Sequence, residues 1–143
     1  MSMKKFAQHI IAVANEKNLP VTNLQLQKVM YFALQKALKT NKLNKQVIEE
    51  MYDKPFLVWR YGPVEEDVYE TYKVFGSDPI VEFDEQEDEY KPLNEDIVNL
   101  LNENPFDLVD KSHKEKYWKD HEPDIIGWRS NFEYDLETIK VGQ

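Results

Sequence analysis

The stretch Leu24-Gln25-Leu26-Gln27-Lys28-Val29-Met30-Tyr31-Phe32-Ala33-Leu34-Gln35-Lys36-Ala37-Leu38-Lys39 decides the fold. Wound as a helix, its apolar residues fall on most sides rather than on one stripe. A helix without a broad polar face belongs at the centre of a bundle. Thr22 stands where an N-cap is needed, and Gln25, three residues on, completes a capping box. The expectation is a buried central helix over about 22–39. Gln27 and Lys28 are then polar groups inside a buried element and must find partners. The Gly62-Pro63 turn offers backbone acceptors for them.

The neighbours follow from spacing and punctuation. Phe6, Ile10, Val13 and Ala14 repeat at helical intervals and predict a helix over 3–17, closed by Asn18-Leu19-Pro20. Residues 45–52 suit another short helix. Phe56 to Tyr61 is rich in β-formers and reads as a strand. Gly62-Pro63 stops it, and Pro63 suits the first position of a new helix. Glu65, Glu66 and Asp67 then lie in its first turn, where negative charge favours the dipole. Val64, Val68, Tyr72 and Phe75 line one face, and Gly76 ends it.

Ile80 to Phe83 reads as a second short strand pairing with 56–61, and 82–90 as an exposed acidic loop. Asn94 is expected to cap a helix carrying Ile97, Leu100 and Leu101. A helical turn follows at 106–110. Ser112 to Glu115 spells a capping box for a helix over 113–119. Residues 124–134 read as irregular, anchored by Trp128 and Phe132, and Asp135 caps a last short helix. The fold class is mainly α (α+β): one domain over 1–143, packed around the central helix, with a two-stranded β element at about 56–61 and 80–83.

The 143 residues are 41% hydrophobic, and the 3 Trp, 8 Tyr and 7 Phe supply one large core. The longest apolar run, Val29 to Leu34, is far short of the about 20 residues that cross a membrane. No signal-peptide stretch follows the first lysines. With no cysteine, thiol catalysis and Cys-ligated metal are excluded. The expected setting is the cytoplasm. The net charge is −9, divided as +6 over residues 1–60 and −15 over 61–143. The acidic total disfavours nucleic acid as a partner.

No catalytic or cofactor constellation emerges. His9, His113 and His121 form no pair at helical spacing, so the one conceivable metal site is His113 and His121 with the carboxylates between and after them. Ser112-His113 adjacency does not make a dyad, since triads form in space. Four glycines build no phosphate loop. No cofactor is expected, and an enzyme is the weakest reading. The densest aromatic grouping, Trp59, Tyr61, Tyr69 and Tyr72 around the Gly-Pro corner, reads as core plugs or as an interface.

Three blocks carry a resemblance. Leu26 to Ala33 resembles the "LQKLLYFA" helix of the Panacea domain, the SocA-like antitoxin family of phages and bacteria. Val58-Trp59-Arg60-Tyr61-Gly62-Pro63-Val64 resembles its "AWxYGPV" corner, with Tyr69 following. Leu108 and Ser112-His113-Lys114-Glu115-Lys116-Tyr117-Trp118 resemble its C-terminal "L…THxxxxW" element. The resemblance spans roughly 3–120 and departs at Val58, at Ser112 and in the acidic loop. It implies an antitoxin that binds and neutralises a toxin, phage- or prophage-encoded. Two alternatives stay open: an adaptor delivering its partner to the ClpXP protease, and a phage inhibitor of host defence whose acidic half mimics nucleic acid. By the resemblance, Gln27, Lys28, Tyr31, Trp59, Tyr61, Gly62, Pro63, Tyr69, Ser112, His113 and Trp118 are family scaffold residues. Glu65, Glu66, Lys73, Glu85, Glu87, Asp88 and Glu89 are the expected charged contacts with a basic partner.

Overall fold

A computed structural model describes residues 1–143 and contains eight α-helices and one two-stranded antiparallel sheet. The central helix, α2 (Asn23–Thr40), buries thirteen of its eighteen residues. Its capping box forms as expected: Thr22 Oγ1 accepts from Gln25 N–H at 3.2 Å, and Gln25 Oε1 accepts from Thr22 N–H at 3.4 Å. Asn41, in the left-handed region at φ +56°, ends it. Helix α1 (Met3–Glu16), capped by Ser2, lays Phe6, Ile10, Val13 and Ala14 against α2.

Helix α3 (Lys45–Met51) leads to β1 (Phe56–Trp59) and β2 (Gly62–Glu65), which pair from Phe56–Glu65 to Trp59–Gly62. Helix α4 (Glu66–Tyr72) follows directly. Helices α5 (Asn94–Leu101), α6 (Pro105–His113), α7 (Lys116–His121) and α8 (Leu136–Val141) complete the shell. Thirty-three buried apolar residues form one continuous core around α2.

Several expectations are corrected. The second strand is Gly62–Glu65, not 80–83. Pro63 lies inside β2 instead of opening a helix; β2 pairs with β1 alone, so a residue lacking N–H is tolerated on its free side. Residues 80–83 run extended but pair with no strand, held by Ile80 N–H donating to Val21 O at 2.8 Å. Ser112 is not a cap; it lies inside α6, and its hydroxyl donates to Val109 O at 2.7 Å. Asn94 makes no cap bond, because its side chain bridges His9 and Gln86. The tail is anchored by buried Tyr134, while Trp128 and Phe132 stay largely exposed. Asp135 does cap α8, accepting from Thr138 N–H at 2.7 Å.

The tail also serves β1 as an irregular third strand. Val58 N–H donates to Phe132 O, Arg60 N–H to Trp128 O, and Tyr134 N–H to Phe56 O, at 2.8–2.9 Å. Ser130 Oγ adds a bond to Val58 O at 2.6 Å. The outer edge of the hairpin is therefore paired along its length.

Candidate functional site: a bolted hairpin and the aromatic cleft beside it

Gln27 points from α2 at the backbone of β2. Its Nε2 donates to Glu65 O at 3.1 Å, and its Oε1 accepts from Glu65 N–H at 2.8 Å. One primary amide thus replaces a neighbouring strand. Lys28 is wholly buried and donates to Pro63 O at 2.8 Å. Burial without a carboxylate partner pulls its ammonium down to about 7. Gly62, at φ +100°, occupies backbone space that a side chain rarely enters. A Cβ there would stand 2.4 Å from Ser112 Oγ and 3.1 Å from Lys28 Cε. The Gly-Pro corner is thus clamped between α2 and α6.

Other residues of the three sequence blocks complete this frame. Trp118 Nε1 donates to Trp59 O at 2.9 Å. His113 stacks on Trp118 with ring centroids 3.8 Å apart and bonds Arg60 O at 2.9 Å. Desolvation lowers the His113 pKa, and nearby Lys28 adds to that. Tyr31 donates to the buried Glu115 carboxylate, which also accepts from Gln35 Nε2 at 3.0 Å. Gln35 in turn reaches Ile139 O at 2.9 Å, joining α2, α7 and α8. Burial, with Glu115 alongside, pushes the Tyr31 phenol far above its usual range. His121 sits apart from His113, on Asp124 at 3.1 Å, so those two histidines are engaged separately. No three His, Asp or Glu side chains converge as a metal cluster.

Beside the hairpin lies a cleft of about 490 Å³. Trp59, Tyr61, Tyr69 and Trp128 supply its aromatic walls, and Asn23 and Gln27 are its polar lining from α2. Trp59 meets Tyr69 edge-on at 5.2 Å, and Tyr61 faces Trp128 at 5.6 Å. The Arg129 guanidinium lies over the Trp59 ring at 4.4 Å. It donates to Glu66 at 3.1 Å and to Glu70 at 3.2 Å, and Lys73 also pairs with Glu70. Trp128 rides on the tip of a two-residue turn whose ends, Ile126 and Arg129, exchange backbone bonds. Gly127, at φ +67°, gives that turn its hand, and Arg60 Nε holds it by Gly127 O at 2.7 Å.

Two polar atoms of the cleft residues have no partner. Asn23 is 4% exposed and uses its Nδ2 on Tyr69 O at 3.2 Å, which leaves Oδ1 unpaired. Trp59 is 5% exposed, and its Nε1 is unpaired.

The expected charged contacts divide. Glu65 is a correction: it is 2% exposed and caps α4, accepting from Val68 N–H at 2.7 Å. Its burial raises the carboxyl to about 7 against those bonds. Glu66 and Lys73 stand at the cleft rim. Glu85, Asp88 and Glu89 are exposed. Glu87 turns its backbone N–H to His9 Nδ1 at 2.9 Å. Asn15 Nδ2 donates to Glu82 O at 2.7 Å, so the acidic segment is tied to α1 rather than free. Sequence reasoning missed Asn23 and Arg129 in the cleft and Glu115 under Tyr31. The Arg129 signal was faint: it is one of only two arginines in the chain.

A family model described as "Antitoxin SocA-like, Panacea domain" matches residues 26–103, more than half of the chain. The matched span contains the α2 block and the hairpin block, which bolt to each other, and ends before the Ser112–Trp118 block. No curated protein and no solved structure gives a match. By this match the chain belongs to the antitoxin SocA-like, Panacea domain family.

Proposed function

We propose that this chain is an antitoxin that neutralises a cognate toxin by binding it directly in the cytoplasm of a bacterial cell, encoded by a phage or prophage. The observation that carries the reading is the family match over the α2–hairpin unit. The inward bonding of the family motif supports it. Gln27, Lys28, Gly62, Ser112 and Trp118 are spent on joining elements, so the outer surface is free to differ with the toxin it meets. Trp, Tyr and Arg, the residues that dominate interface hot spots, gather at the cleft beside that frame, where Trp128 and Arg129 from the tail meet Trp59, Tyr61 and Tyr69 of the motif.

The test is co-expression with the product of the neighbouring or co-transcribed gene. The expected result is that the partner alone stops growth, that this chain restores it, and that the two purify together. A harmless neighbour, or arrest that this chain leaves untouched, contradicts the reading. Partner lifetime in ClpXP-proficient cells separates the modes. An unchanged lifetime fits blocking; faster decay transfers the assignment to a proteolysis adaptor.

A further inference from the structure

The cleft between the α2 N-terminus, the hairpin and the 126–129 turn has the makings of a specific pocket. Its volume falls in the range of ligand sites, about 300–1,000 Å³. Four aromatic rings and Val64 make its walls apolar. The two unpaired atoms are complementary: Trp59 Nε1 only donates, and Asn23 Oδ1 only accepts. Leaving such atoms buried and unpaired costs about 1–3 kcal/mol each, a cost relieved by an occupant that bonds them. An amide, with one C=O and one or two N–H groups, offers both complements. The rim selects against charge. Its cations, Arg129 and Lys73, are already matched by Glu66 and Glu70, which leaves no uncompensated charge for an ionised occupant. The net charge of −9 argues against a nucleic-acid strand and for a polypeptide.

We infer that this cleft seats an uncharged segment of a protein partner, one large apolar side chain among Trp59, Tyr61, Tyr69 and Trp128, with an adjoining amide bonded to Trp59 Nε1 and Asn23 Oδ1. This deepens the proposed function and rests on it for the identity of the partner as a toxin. Trp128 and Tyr61, 62% and 44% exposed, close over the inserted side chain as the complex forms.

The probe is N-acetyl-L-phenylalaninamide, titrated into the full 15N-labelled chain at millimolar concentration. Three tryptophans give three indole N–H resonances, and Trp59→Phe assigns one of them. The expected result is a saturable shift of the Trp59 indole and of the Asn23 side-chain amide, weakened about tenfold in Trp128→Ala. N-acetyl-L-phenylalaninate and adenosine shift neither. Trp59→Phe removes the indole N–H together with the pyrrole part of a buried ring, so probe binding falls and the free variant is modestly less stable than wild type, a loss the urea midpoint reads separately. Absence of the shift, an equal response to the carboxylate or to adenosine, or an indole resonance that moves with protein concentration alone overturns the inference; the last result assigns the cleft to a second copy. The toxin assay reads separately. Full rescue and unchanged toxin affinity in Trp128→Ala overturn the cleft while the antitoxin reading stands. Probe binding without rescue by wild type removes the toxin and leaves the pocket.

Discussion

Gln27 is the residue on which the hairpin depends most directly. Its amide satisfies both backbone groups of Glu65, and no apolar side chain repeats that geometry. Gln27→Met leaves a buried N–H and C=O unpaired and is expected to cost about 2–4 kcal/mol, read as a lower urea midpoint. A midpoint equal to wild type would show that the hairpin is held otherwise. Lys28 imposes a pH dependence. Folded, its ammonium loses the proton near pH 7; unfolded, near 10.5. Between these values unfolding takes up a proton, so the stability lost to burying Lys28 is lost in full below about 7 and recovered as pH rises toward 10.5. The urea midpoint of wild type is expected to climb more steeply than that of Lys28→Met between about pH 7.5 and 9.5. Parallel slopes would mean that the folded chain keeps the proton on Lys28. That these two residues need partners is legible in the sequence, because polar groups in a near-apolar helix cannot stay unpaired. The orphans Asn23 Oδ1 and Trp59 Nε1 are not legible, because an unpaired atom has no signature in residue type.

At the scale of elements, β1 is paired on both sides though only one of its neighbours, β2, is a regular strand. The tail over 128–134 supplies the missing ladder to β1. The amides of Val58 and Arg60 should therefore exchange with deuterium as slowly as those of central α2, measured by mass spectrometry or NMR. Fast exchange at these two positions would place the tail away from β1. Helix α2 and its capping box could be read in advance because both signals are local. The hairpin partner could not. Gly62-Pro63-Val64-Glu65 carries turn and helix-start residues, yet Gln27, Lys28 and Ser112 hold it extended from other elements. Conversely, Ile80 to Phe83 has strand composition, but no strand lies beside it to pair with. The cleft is harder still to foresee, since it draws on α2, the hairpin, α4 with the turn after it, and the tail.

For the whole molecule, the uneven charge would have a separable role in the proposed binding. Glu85, Asp88 and Glu89 are exposed on a segment tied down to α1, outside the cleft lining. Such charges act on a basic partner through the rate of encounter more than through the lifetime of the complex. Neutralising all three with Gln, Asn and Gln is expected to slow association by several-fold and to flatten its salt dependence, with dissociation unchanged, in surface plasmon resonance. A change confined to dissociation would place these residues inside the contact. Trp128→Ala should do the opposite, leaving association nearly intact and speeding dissociation. The inner frame would then hold the fold, the acidic segment would gather the partner, and the aromatic cleft would retain it.

In the proposed mode of action, a rigid inner frame presents an outer aromatic cleft that grips a toxin. Colony counts of cells expressing the toxin with wild type or with Trp128→Ala, at matched soluble levels of each, test it most directly. Growth is expected with wild type and arrest with Trp128→Ala. Equal growth with both, or arrest with both, contradicts it.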